Sequence, residues 1–248
     1  MLRRALQVLA CFDADHVTLS LAELTERAGL PQSTAYRHVL DLVAWGALTR
    51  VPGGYQVGDR LAELARCRPS HQSLRELARP HLEDLFEAGR HHVQLAVRDG
   101  ADAVYVDFLP ARNTVAVRTR VGGRLPLAAT GVGLVLLAFL PEREIDEVLA
   151  RPVATFTPKT LVSPYEIRRL LGEVRRSGVA ISDGQITADA YSVAAPVRDR
   201  HGAVVAAVSV VVPANLPHRG TWIPAVRMAA RAVSRELAEH STDQLYSR

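Results

Sequence analysis

Lysine is nearly missing from this chain. Lys159 is the only one among 30 Lys and Arg residues, a bias of GC-rich codon usage more than of chemistry. Cysteine is scarce as well. Cys11 and Cys67 have no CxxC spacing and no nearby histidine pair, which excludes a disulfide framework and a thiolate zinc site and fits a reducing cytoplasm. Long apolar runs are absent. The most apolar stretches, 131–140 and 203–212, are too short to cross a bilayer, so no membrane partner is expected. No secretory leader is expected either, since the apolar part after Arg4 is broken by Gln7 and ends at Asp13 without a small-residue cleavage site. No G-x-S-x-G, H-E-x-x-H or P-loop appears, and neither cysteine has a partnered base, so an enzyme is not expected and no cofactor is called for. Strong charge is missing too. The net charge is +4 over 248 residues, but residues 1–68 hold eight arginines against seven acids. Any case for nucleic acid therefore rests on where individual arginines sit.

What is present begins with Ser20–Trp45. Ser20 and Glu23 form a capping-box pair that starts a helix, and Leu21, Leu24 and Ala28 recur along it. Gly29 supplies a left-handed turn, Leu30 plugs the space between helices, and Pro31 opens a second helix. Ala35, Val39, Leu42 and Val43 form the inner stripe of that helix, leaving Gln32, Ser33, Tyr36 and Arg37 to solvent. This is a helix-turn-helix layout. Gln32 suits bidentate reading of adenine, Ser33 and Thr34 suit bases or phosphates, and Tyr36 and Arg37 suit phosphate or guanine.

A first helix over 2–11 is expected to face inward with Leu2, Leu6 and Leu9. Leu48–Val51 and Tyr55–Val57 flank the turn Pro52-Gly53-Gly54 as a small hairpin, which makes the domain a winged helix-turn-helix. Arg50 and Tyr55 are its candidate backbone contacts. Residues 1–58 are thus read as the DNA-binding domain, 59–72 as a linker helix interrupted at Pro69, and 73–248 as a second domain. In that domain, period-two stretches at 91–98 and 103–108 flank Asp99-Gly100. Asn113–Val121 reads as a third strand, and Ser163 with Glu166 reads as another capping box. Hairpins mixed with helices, without βαβ units, give an α+β fold on an antiparallel sheet. Adjacent residues on a strand point to opposite faces, so His91-His92 is not expected to share a metal ion.

RALQVL, LSLAELTERAGLPQSTAYRHVLDLVAWGALTR, LRELARPHLEDL, RVGGRLPLAATGVGLVLLAFLP and SVAAPVRDRHGAVVAAVSVVVP occur in one order along nearly the whole chain. In these blocks the sequence resembles the IclR (isocitrate lyase regulator) family of bacterial transcription factors. The resemblance implies a GAF-like effector-binding second domain, a homodimer or homotetramer, and binding to double-stranded operator DNA under control of a small organic metabolite. It also implies effector contacts at Leu125, Leu127, Gly131, Val132, Asp183, Ser192, Ser209 and Val211. Backbone N–H groups at the start of the Thr130 helix would hold a carboxylate, with Ser192 and Ser209 adding hydroxyls. Where family members recognising very small acids have a Ser-x-Ser-Gly-Pro run, this chain has Ser209-Val210-Val211-Val212-Pro213. Fewer hydroxyls and more methyls point to an aromatic or branched acid. Repression relieved by ligand is the default the resemblance implies. The alternatives are an activator of the same family, an enzyme, or a protein-interaction module on the second domain.

Overall fold

The structure, a computed structural model, describes residues 2–13, 16–66, 69–112 and 114–246, and divides into two units, Met1–Gln72 and Ser73–Arg248. The first unit runs α1 (Leu2–Leu9), α2 (Leu21–Ala28), α3 (Gln32–Trp45), β1 (Leu48–Val51), β2 (Gly54–Val57) and α4 (Asp59–Arg66). The Ser20 capping box forms. Ser20 Oγ accepts from the Glu23 N–H at 3.3 Å, and Glu23 Oε2 accepts from the Ser20 N–H at 2.8 Å. Gly29 ends α2 at φ +62, so the turn into α3 rests on the left-handed conformation that glycine adopts without strain. Val8, Leu19, Leu24, Val39, Leu42 and Leu48 close one small core.

The inward face of α1 is not the expected one. Leu2 is 74% exposed and Leu6 53%, while Val8 is buried and Ala5 and Leu9 are half-buried. Eight residues make barely two turns, and the smaller Ala5 and Val8 let α1 lie close on α2 and α3.

The second unit carries one six-stranded sheet. Its elements are α5 (Pro69–Glu87, which crosses the division), β3 (His92–Asp99), β4 (Asp102–Leu109), β5 (Arg124–Pro126), α6 (Gly131–Ala138), α7 (Glu142–Leu149), α8 (Pro164–Ser177), β6 (Ala180–Asp183), β7 (Ala190–Arg198), β8 (Val204–Pro213) and α9 (Trp222–Tyr246). The strand order is β5-β4-β3-β8-β7-β6, and every neighbouring pair is antiparallel. The protein is therefore α+β in both its parts.

Both faces of the sheet are covered, so the strands read as apolar runs, and strand parity sorts them. Val93, Leu95 and Val97 of β3, with Val208, Val210 and Val212 of β8, pack under α5 and α9. The opposite parity carries Ala96, Ala103, Ala194 and Ala207, whose small side chains let α6 approach closely, buried on all sides. Asp107, fully buried on β4, accepts from Arg79 Nη1 at 3.1 Å and from the Phe108 N–H at 2.9 Å, which ties α5 to the sheet.

Two expectations fail here. Residues 114–121 form no strand, and Asn113 lies outside the described residues. Side chains hold this stretch where a ladder was expected. His92 Nδ1 accepts from the Ala111 N–H at 3.0 Å while Nε2 donates to the Val115 carbonyl at 2.8 Å, and Gln94 Nε2 donates to Thr119 Oγ1 at 2.8 Å. Of the alternating valines, Val115 is buried and Val117 half-buried, while Val121 is exposed. At α8 the Ser163 side chain makes no capping bond, although Pro164 opens the first turn as expected of a helix start.

Candidate functional site

Two surfaces carry chemistry. The first is the outer face of α3. Ala35, His38, Val39 and Leu42 face the core, which leaves Gln32, Ser33, Tyr36 and Arg37 exposed on the first turns and Thr34 half-buried beside them. Val43, expected in the inner stripe, is half-buried, and the buried His38 was not read from the sequence. Among the described residues neither Arg37 nor Arg50 has a carboxylate partner, whereas Arg27 reaches Asp13 at 3.5 Å and Arg60 stacks 4.6 Å over Trp45. Unpaired guanidinium groups on a convex polar face are available to phosphates and guanine edges.

The wing is a hairpin turned at Pro52-Gly53, with Gly53 at φ +91 and Val51 opposite Gly54. Arg50 is exposed on β1. Tyr55 is not on the surface. It is 7% exposed, because β2 is drawn against Leu19 by two backbone bonds of 3.0 and 2.9 Å, and its ring joins the core. The expected contact at Tyr55 is corrected to a packing role.

The second surface is a cavity between the α6 face of the sheet and residues 117–119. It is lined on the sheet by Gln94, Tyr105, Ser192 and Val211, and at the start of α6 by Thr130 and Gly131. Val117, Arg118 and Thr119 cover it, and Gln185, Ile186 and Thr187 close the end after β6. Its volume of about 50 Å³ holds about four waters. Thr130 Oγ1 caps α6 by accepting from the Gly133 N–H at 3.0 Å. The ladder of α6 begins only with the Leu134 bond to the Thr130 carbonyl at 2.8 Å, so the N–H groups of Gly131 and Val132 lie outside it. A Cβ on Gly131 would stand 2.9 Å from Ser192 Oγ, so glycine there keeps this corner open. Such a corner suits an anion, and Arg118, stacked 5.9 Å from Phe156 with no acid partner among the described residues, adds positive charge at the mouth.

The expected effector residues separate into layers. Leu125, Gly131, Ser192 and Val211 line the cavity. Leu127 and Val132 do not, because they point from the α6 end into the core. Ser209 lies one layer behind, where its hydroxyl donates to Gln94 Oε1 at 3.0 Å. Asp183 is spent on ion pairs with Lys159 at 3.1 Å and Arg219 at 3.3 Å. Gln94, Tyr105, Thr119 and Gln185 were missed. Gln94 was visible as a lone amide in the apolar HVQLAV run; Tyr105 shows only once the strands are in register, and Thr119 and Gln185 only once the segments outside the sheet are in place. Burial pushes the Tyr105 phenol up to about 12, against its hydrogen bonds with Thr119 and Thr130, which lower it, so it is neutral beside the cavity.

Burial also depresses His92, against the Val115 bond, which raises it. His91, edge-on to Trp222 at 5.2 Å, is depressed by burial first and by His92 second. Both titrate below the ordinary 6.5 when folded, so the unfolded chain binds their protons first as pH falls. Their contribution is constant above about pH 6.5 and is lost below it, down to the folded values. Urea denaturation at pH 7.5 and 5.5 is expected to show the loss, and His92→Gln to reduce it.

A winged helix-turn-helix in one chain with a sheet domain that holds a small, anion-suited cavity defines a DNA-binding transcriptional regulator. The IclR helix-turn-helix domain model matches residues 1–52, and the model of the bacterial transcriptional regulator IclR C-terminal domain matches residues 69–235. The chain belongs to the IclR family. It is 30% identical over 209 residues, 83% of each chain, to the HTH-type transcriptional regulator XynR of Escherichia coli. It is 28% identical over 217 residues, 86% of this chain and 79% of the other, to the transcriptional repressor IclR of the same organism. An IclR homolog from Microbacterium hydrocarbonoxydans, solved in complex with 4-hydroxybenzoate, superposes with a TM-score of 0.87 at 35% identity, covering 95% of this chain and 98% of that one.

Proposed function

We propose that this protein is a repressor whose hold on operator DNA is relaxed by an aromatic carboxylic acid bound in the cavity. Residues 1–58 read DNA through Gln32, Ser33, Thr34, Tyr36 and Arg37, with Arg50 on the backbone. Residues 59–72 link, and residues 73–248 sense the effector and assemble the homodimer or homotetramer. The carrying observation is the cavity itself: the first-turn N–H groups of α6 beside Ser192, facing the apolar walls of Leu125, Val117, Ile186 and Val211. The polar corner seats a carboxylate and the methyl-rich remainder an apolar body. The ligand-bound Microbacterium homolog supports the aromatic class.

About four waters' worth of space is less than a ring acid fills, so binding displaces Val117–Thr119, which no sheet ladder holds. Ligand then favours one arrangement of the dimer over another and shifts its population. A thermal-shift panel of benzoate, hydroxybenzoates, glyoxylate and pyruvate tests this. Stabilisation by the aromatic acids supports the reading, and response to the two-carbon and three-carbon acids alone overturns it.

A further inference from the structure

A buried polar side chain on a cavity wall is either satisfied by the protein or left for what enters. Gln94 is satisfied at both ends, since Ser209 donates to its Oε1 at 3.0 Å and its Nε2 donates to Thr119 at 2.8 Å. Gln185 is not. It lines the cavity, is only 5% exposed, and its Oε1 is shut off from solvent with no hydrogen-bond partner. Nor is it loosely mounted. Thr160 Oγ1 donates to the Gln185 carbonyl at 2.7 Å, and Thr157 Oγ1 donates to the preceding carbonyl of Gly184 at 2.5 Å. Thr160 in turn accepts from the N–H groups of Phe156 and Thr157 at 3.0 and 2.9 Å. Gly184 at φ +70 completes the bend. Two buried threonines thus fix the backbone that presents an unmet acceptor.

We infer that Gln185 is a specificity determinant that accepts a hydrogen bond from a hydroxyl or amino group on the effector. The inference rests on the aromatic-acid reading above and extends it. An ionised carboxylate has no proton to give, so the acid group cannot satisfy this acceptor. A second, donor-bearing substituent is required, which makes the effector a hydroxy or amino aromatic acid. A ligand without that donor leaves the buried acceptor unmet, and sites built around such a bond reject the analogue that lacks it.

The test is calorimetric titration of the full chain with benzoate and with 2-, 3- and 4-hydroxybenzoate, repeated on Gln185→Met. The expected result is that one hydroxybenzoate binds the wild-type chain at least about tenfold more tightly than benzoate. Gln185→Met then brings the two affinities within about twofold. The wild-type comparison needs no variant, so the inference stays open to refutation if Gln185→Met misfolds. Binding of benzoate and all three hydroxybenzoates with equal affinity overturns this inference alone; an amide turned by half, offering N–H to the carboxylate, would give that result. A preference that survives in Gln185→Met also overturns it. No binding of any of the four acids overturns the effector reading along with it.

Discussion

Gly133→Ala lowers the stability of residues 73–248 by about 3 kcal/mol. The position lies inside α6, where alanine is ordinarily the better helix former, so the expected sign runs against intrinsic propensity. The reason is contact. A Cβ on Gly133 would fall well inside van der Waals contact distance of the Leu127 carbonyl oxygen and 2.5 Å from both Leu127 Cα and Thr130 Oγ1. Two of these are backbone atoms of the short turn 127–129 and cannot swing away. The third is the cap itself, so relief of the clash removes the Thr130 bond to the Gly133 N–H. Overpacking contributes about 1–3 kcal/mol and loss of a cap about 1 kcal/mol. Urea denaturation of the full chain measures the effect. A variant as stable as wild type would mean that the start of α6 is looser than this geometry, and the anion corner with it. Gly131→Ala, whose new methyl group meets only the Ser192 hydroxyl closely, is the gentler comparison.

Arg37→Ala weakens operator binding by about 1–3 kcal/mol, which is about 5–150-fold. Arg37 is exposed on the second turn of α3, follows Gln32, Ser33 and Tyr36 on the same face, and has no acid partner among the described residues. No ion pair among the described residues competes with the DNA contact proposed for it. The form of the loss identifies the contact. A base contact relaxes preference at one position of the operator, whereas a phosphate contact weakens all sequences alike and lowers the salt slope by about one. Arg27→Ala is the control, because that guanidinium already reaches Asp13. Equal affinity of Arg37→Ala and wild type at fixed salt takes Arg37 out of the interface.

The readable parts of the chain were those set by local signals. The Ser20–Glu23 box and Gly29 act within four or five residues of themselves, so the helix-turn-helix could be located before any tertiary contact was known. The cavity is different. Which parity of β3 or β8 faces it depends on pairings such as Gln94 with Ser209, between strands far apart in sequence. The runs themselves are apolar on both parities because helices cover both faces of the sheet. Leu127 and Val132 lie within two residues of true lining residues, but a 3-10 turn and a helix start rotate them into the core. Residues 114–121 misled for the converse reason. Their valines alternate as in a strand, yet the bonds that hold the stretch come from the His92 and Gln94 side chains and not from a neighbouring strand. Tyr55 went astray through a single bridge to Leu19 that nothing in the hairpin sequence announces.

The central claim is that an aromatic acid in the cavity and DNA on α3 are energetically coupled. The direct measurement is an anisotropy titration of the protein on its own upstream promoter fragment at fixed salt, with and without a saturating amount of the acid that gives the largest thermal shift. Coupling of the usual size lowers DNA affinity by about 5–150-fold, and by reciprocity the DNA lowers affinity for the acid by the same factor. An unchanged affinity for DNA while the acid remains bound contradicts the account.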